Sequence, residues 1–171
     1  MKNYLIFFIG LVIGLLCFPI VSRFVPTPAP SYIIFSPEKG DQIIELMKSA
    51  KNSLDIDTYA LTSPKVIDEI INAHERGVKI RIIMEKNVLD DQNYKAYSKL
   101  KDVGIEVVYK NKKGRLNHIK IIIVDGRMVI VGSHNLTESA LFKNREASVV
   151  LEDLISVESF EEIFERDWNE D

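Results

Sequence analysis

Cysteine is nearly absent from this chain of 171 residues: Cys17 is the only one. It lies in an apolar run near the N-terminus, so the remainder has neither a disulfide nor a cysteine-based zinc site. Leu16 precedes it where a lipoprotein leader needs a small residue, which argues against lipidation. Histidine is scarce too, with His74, His118 and His134 alone. A strong net charge is also lacking, the formal value being −3, and there is no evident internal repeat. Near-neutrality hides an uneven distribution. Residues 152–171 carry nine acids and one base, whereas residues 32–151 carry nineteen bases and sixteen acids. Lys110, Lys112, Lys113 and Arg115 cluster just ahead of His118, a local basic patch of the kind that meets polyanions.

Three regions are expected. Residues 1–23 contain the apolar stretch Tyr4 to Val21 between Lys2 and Arg23, long enough for one membrane-spanning helix and long for a signal-peptide core. Residues 24–31 carry Pro26, Pro28 and Pro30 at alternate positions and read as a stiff, extended spacer. Residues 32–171 form the folded domain. Lys2 and the terminal amine lean towards an N-terminus inside, which puts the domain outside the cytoplasm, anchored, or secreted if the leader is cut.

Within the domain, short β-rich runs alternate with helical periodicity. Strands are expected over Tyr32–Phe35, Leu54–Ala60, Val78–Met84, Ile105–Tyr109 and Ala147–Leu151, and helices over Asp41–Lys51, a segment capped by Ser63-Pro64 and closed at Gly77, Asp91–Lys101 and Val157–Trp168. This pattern predicts an α/β sandwich on a mixed, largely parallel sheet with one hairpin inserted. The hairpin is the apolar run Ile119–Val124, the turn signal Asp125-Gly126 and the second run Met128–Val131.

That hairpin holds the chemistry. It spells H-x-K-x-x-x-x-D-x-x-x-x-x-x-G-S-x-N with His118, Lys120, Asp125, Gly132, Ser133 and Asn135. His118 and Lys120 are two apart on a strand and so point the same way. An imidazole, an ammonium, a hydroxyl and a carboxamide gathered at one place suit an anionic, phosphate-like group.

The eighteen-residue frame resembles that of the phospholipase D superfamily, in particular its single-motif bacterial nuclease-like members. Glu146, eleven residues beyond Asn135, stands where those members also place a glutamate, and the likeness runs from Ser31 to Trp168. The resemblance implies a phospholipase D-like fold and a phosphodiesterase that needs no metal or other cofactor. It makes His118 the nucleophile, forming a phosphohistidine, with Lys120 and Asn135 holding the phosphate oxygens. Glu146 orients His118, Asp125 supports the site, and Gly132 and Ser133 shape the phosphate contact, with Lys113 and Arg115 beside it. Single-motif members pair two copies, so a homodimer sharing one composite site is expected. The basic cluster favours nucleic acid as substrate, cut with little sequence preference. Membrane phospholipid, as for a cardiolipin hydrolase, is the alternative that the anchor favours. A non-catalytic binding module ranks last because the frame is intact.

Overall fold

The structure is a computed structural model, and it describes residues 31–86, 88, 91–110 and 115–170. The expected membrane segment and all of the spacer except Ser31 lie outside those residues. Among the described residues, no helix is long and apolar enough to cross a membrane.

Seven strands make one sheet. In chain order the elements are β1 (Tyr32–Ser36), α1 (Asp41–Lys48), β2 (Ser53–Thr58), α2 (Pro64–Glu75), β3 (Lys79–Glu85), α3 (Asp91–Asp102), β4 (Glu106–Lys110), β5 (Lys120–Val124), β6 (Met128–Gly132), α4 (Glu138–Phe142), β7 (Glu146–Leu151) and α5 (Leu154–Asn169). The strand order is β1-β7-β6-β5-β2-β3-β4. Every expected strand and helix forms within a few residues of its expected bounds. The short helix α4 was not anticipated.

The expectation of a largely parallel sheet needs correction. Only the β2–β3 and β3–β4 neighbours are parallel, and the other four junctions are antiparallel. The physical reason is where the hairpin goes. β1, β2, β3, β4 and β6 all run the same way, but β5 and β7 run against them and are interleaved between them. Alternating strands and helices imply common strand direction, yet they do not say which strands become neighbours.

The strands are apolar on both sides because both faces of the sheet are covered. On one face Leu54, Ile56, Ile82, Ile122 and Ile130 pack against Ile43 and Met47 of α1, Val66 and Ile70 of α2, and Leu100 of α3. On the other, Ile83, Ile121, Ile123 and Val129 pack against Val157 and Phe164 of α5. Arg81 pins α5 to the sheet. Its guanidinium meets both Asp55 oxygens at 2.8 Å and Glu165 at 2.7 Å, and it lies against the Phe164 and Trp168 rings. These hydrogen bonds, led by Asp55, hold the Arg81 pKa above its ordinary value.

Ser63 stands at the N-cap of α2 with Pro64 behind it, as expected, but its hydroxyl does not cap. It donates instead to Glu138 of α4 at 2.6 Å, tying that short helix to α2.

Candidate active site

At one end of the sheet β2 finishes, β5 begins, β6 finishes and β7 begins. The antiparallel pairing of β5 with β6 and of β6 with β7 brings His118, Lys120, Ser133, Asn135 and Glu146 to this end from three separate stretches of chain. The backbone amide of Ser133 donates to the Ala147 carbonyl at 2.9 Å, continuing the ladder past the strand end.

His118 is exposed, and its ring meets the edge of Tyr59 with centroids 4.9 Å apart. The preceding residue is held from inside the protein. The Asn117 amide N–H donates to Glu85 Oε2 at 2.5 Å, and its side-chain NH2 donates to Asp57 Oδ1 at 2.6 Å. Asp57 and Glu85 are fully buried, at 1% and 0% exposure, so the anchor beneath His118 is rigid while the imidazole faces solvent. Lys120 donates to the His118 carbonyl at 2.9 Å and lies 5.4 Å from the centroid of the Tyr59 ring. Burial lowers the Lys120 pKa, and the negative field of Glu146 works in the opposite direction.

Ser133 donates its hydroxyl proton to Glu146 Oε2 and accepts from the Ala147 amide at 3.0 Å. Asn144 also donates to Glu146, at 3.2 Å. Within one chain the carboxylate expected to orient His118 therefore holds Ser133 instead. The Asn135 amide oxygen is enclosed and has no hydrogen-bond partner among the described residues. An enclosed polar atom left without a bond is costly; being an acceptor, this oxygen cannot meet a phosphate oxygen, and only the amide NH2 can donate to one.

Gly132 is required by close approach. A Cβ there would stand 2.3 Å from the Ala147 carbonyl oxygen and 2.4 Å from the Ser148 hydroxyl. Any side chain at this position would push β7, and Glu146 with it, away from Ser133.

His134, the variable residue of G-S-x-N, is not exposed to substrate. It is buried at 4% exposure between two hydroxyls, with Nε2 2.8 Å from Ser36 Oγ and Nδ1 2.7 Å from Ser148 Oγ. Ser36 gives its single proton to the Leu141 carbonyl at 2.7 Å, and a carbonyl can only accept. Nε2–H of His134 must therefore donate to Ser36, and Nδ1 must accept from Ser148. This chain of bonds joins β7, the G-S-x-N loop, β1 and α4. Burial lowers the His134 pKa and keeps the ring neutral, against the opposing field of Glu146. A small cavity lined by Lys120, Thr58, His134, Leu136 and Ser148 lies behind the site.

Asp125 is not brought to this place. It lies beyond the opposite end of β5, in the turn, where it and Gly126 both adopt positive φ values of 54° and 58°. Its carboxylate accepts from the backbone amides of Asn52 at 2.7 Å, Ser53 at 3.0 Å and Lys51 at 3.0 Å. Burial opposes its charge, but these three amides and Arg127 outweigh that and lower the pKa. Five residues of strand, about 16 Å, separate it from Lys120. The expected supporting role at the site is replaced by a structural one.

Arg115 is exposed, and Lys113 lies outside the described residues. Lys110 is engaged by the carbonyls of Trp168 and Glu170 at 2.5 Å each, which ties α5 to β4. Tyr59, Asn117 and the His134 chain were not foreseen. Asn117 directly precedes the frame and was visible as a polar residue before an apolar strand, whereas the other two depend on tertiary contacts.

Fold and candidate site together define an α/β protein that gathers an imidazole, an ammonium, a hydroxyl and a carboxylate at one end of its sheet. Residues 43–168 match the family model described as cardiolipin synthase, PLD-like domain. The chain belongs to this phospholipase D-like family of phosphodiesterases. It is 31% identical over 145 residues to the mitochondrial cardiolipin hydrolase of Mus musculus, covering 85% of this chain and 65% of that one. It is 33% identical over 131 residues to the phospholipase D of Rickettsia prowazekii, covering 74% and 62%. The chain thus spans just under two thirds of these relatives. The phospholipase D family member Nuc from Salmonella typhimurium superposes with a TM-score of 0.76 at 29% identity, covering 84% of this chain and 95% of that one.

Proposed function

We propose that the protein hydrolyses phosphodiester bonds through a covalent phosphohistidine on His118, without a metal, and that nucleic acid is its substrate. The observation that supports this best is the exposed His118 imidazole, with the Lys120 ammonium bonded to the His118 carbonyl, on a backbone fixed by buried Asp57 and Glu85. Lys120 and the Asn135 amide NH2 hold the phosphate oxygens and stabilise the charge that grows on them as the nitrogen–phosphorus contact forms. A ring nitrogen of His118 attacks phosphorus, the bond to the leaving oxygen breaks, and that oxygen takes a proton from a general acid. Water, deprotonated by the same group, then attacks phosphorus and the P–N bond breaks.

The general acid must be a second imidazole at the site. His134 cannot serve, because it is buried and committed to Ser36 and Ser148. The acid is accordingly His118 of a second copy, in a homodimer with one shared site. Glu146 acts through Ser133 and through its field on Lys120. The domain is tethered outside the cytoplasm by residues 1–23.

Membrane phospholipid is the second reading, favoured by the names of the cardiolipin hydrolase and phospholipase D relatives. The test is hydrolysis by the full-length protein in EDTA of a nitrophenyl phosphodiester, oligonucleotides and cardiolipin vesicles, with sedimentation of the same sample. Activity on oligonucleotide that survives EDTA, in a dimer, is the expected result. Loss in EDTA overturns the metal-free mechanism, and activity confined to vesicles reverses the substrate. A fully active monomer overturns the shared site.

A further inference from the structure

Tyr94 and Tyr97 are three residues apart on α3, so their rings share one face of the helix. Tyr97 stacks on Tyr109 of β4 with centroids 4.2 Å apart and planes inclined by 25°, and Tyr94 follows 6.3 Å from Tyr97 at 29°. The three rings form a ladder. Its inner rungs are fixed: Tyr97 and Tyr109 pack against the main core, and the Tyr109 hydroxyl donates to the Asn93 carbonyl at 3.1 Å. The outer rung, Tyr94, is 64% exposed. Lys101, one turn beyond Tyr97, places its ammonium 5.7 Å from the Tyr97 ring centroid.

The ladder stands next to the catalytic end of the sheet. Asn93, the residue before Tyr94, accepts with its side chain from the Leu61 amide at 2.8 Å. Leu61 in turn bridges Leu136, which follows Asn135, and Tyr59, two residues before Leu61, touches His118. α3 is thus joined to the two loops that carry Tyr59 and Asn135.

We propose that Tyr94, Tyr97 and Tyr109 form a stacking subsite for the unpaired bases of a single-stranded polynucleotide held at the His118 site. This rests on the phosphodiesterase reading of that site and names its substrate class. An exposed ring, backed by two fixed rings in near-parallel planes, offers a flat π-face of the kind a base covers. Lys101 lies where a flanking phosphate would pass. Within α3 the other exposed residues are Asp91, Gln92, Lys95, Lys99, Lys101 and Asp102, with no exposed aliphatic side chain to enter a bilayer. A duplex keeps its bases stacked on one another and cannot use the ladder, and a lipid head group has no aromatic ring to stack there.

The experiment compares the full-length protein with Tyr94→Ala and Tyr94→Trp. Substrates are a fluorescent single-stranded 12-mer, its duplex, a nitrophenyl phosphodiester and cardiolipin vesicles, and 12-mer binding is read in parallel by fluorescence polarisation. Tyr94 is exposed, so its truncation leaves the core intact. The expected result is a KM and Kd for the single strand raised about tenfold in Tyr94→Ala, with kcat unchanged and Tyr94→Trp restored. The duplex and the small diester should not respond. An unchanged single-strand Kd overturns the subsite. A matching loss on the small diester makes Tyr94 structural, and a loss confined to vesicles makes the ladder a membrane contact. Should the wild type bind the 12-mer in a Tyr94-dependent way yet hydrolyse no diester, the subsite stands and the catalytic reading falls.

Discussion

Asp125 belongs to the sequence frame but not to the site, and its replacement separates the two roles. In Asp125→Ala three backbone amides lose a charged acceptor. A hydrogen bond to a charged group contributes about 1.5–3 kcal/mol when buried. Lys51 and Asn52 are exposed and can rehydrate, so most of the loss comes from the half-buried Ser53 amide, about 2 kcal/mol. Alanine must also keep the positive φ of 54°, which adds about 1 kcal/mol. The sum, about 3 kcal/mol, lowers the Tm of a domain this size by roughly 6–12 °C. Asp125→Asn tolerates the backbone angle and retains an acceptor, so it should lose about half as much. Because the folded pKa of Asp125 is lowered, its stabilisation is present above the unfolded value near 4 and lost as pH falls through the folded one. The Tm gap between wild type and Asp125→Asn should therefore be wide at pH 7 and close towards pH 3. The assay is thermal unfolding by circular dichroism, paired with kcat/KM on a small phosphodiester at 20 °C. The reasoning fails if kcat/KM drops a hundredfold while Tm stays put.

Two further outcomes follow from the site's scaffold. In Gly132→Ala the new Cβ meets the Ala147 carbonyl, a backbone atom that cannot step aside, so β7 must shift. We expect about 3 kcal/mol of destabilisation, read by denaturant titration, and a fall in activity from the parting of Ser133 and Glu146. In His134→Gln the donor to Ser36 survives and the acceptor for Ser148 is lost. A histidine buried neutral has a lowered folded pKa, so wild-type stability should fall as pH drops below about 6.5. That component should be missing from the variant in melts between pH 7.5 and 5, and an identical pH profile would contradict the neutral-ring assignment.

The sequence disclosed the elements well and their arrangement less well. Hydrophobic period marked every strand and all helices but α4, whose five residues are too few for a pattern. Asp125-Gly126 gave its turn away because few other residue pairs accept two positive φ values. Strand neighbours were illegible: β5 and β2 pair across more than sixty residues, and nothing local to either encodes that choice. The same limit divides the site. His118, Lys120, Ser133 and Asn135 lie on one hairpin and could be read from spacing. Tyr59, Asp57 and Glu85 reach it from β2 and β3, and only the folded sheet brings them there. Asp125 was legible as a turn residue, and its bonds to the Lys51, Asn52 and Ser53 amides are what only the fold discloses.

The claim at the centre is that His118 is the nucleophile. It is tested most directly by rapid quench of the full-length protein with a nitrophenyl phosphodiester in EDTA, followed by peptide mass spectrometry under alkaline conditions, which preserve a phosphoryl–nitrogen bond. The account predicts a burst of nitrophenol and a covalent phosphoryl ester on His118, both missing from His118→Asn. Steady turnover with no adduct, or an adduct on another residue, would contradict it.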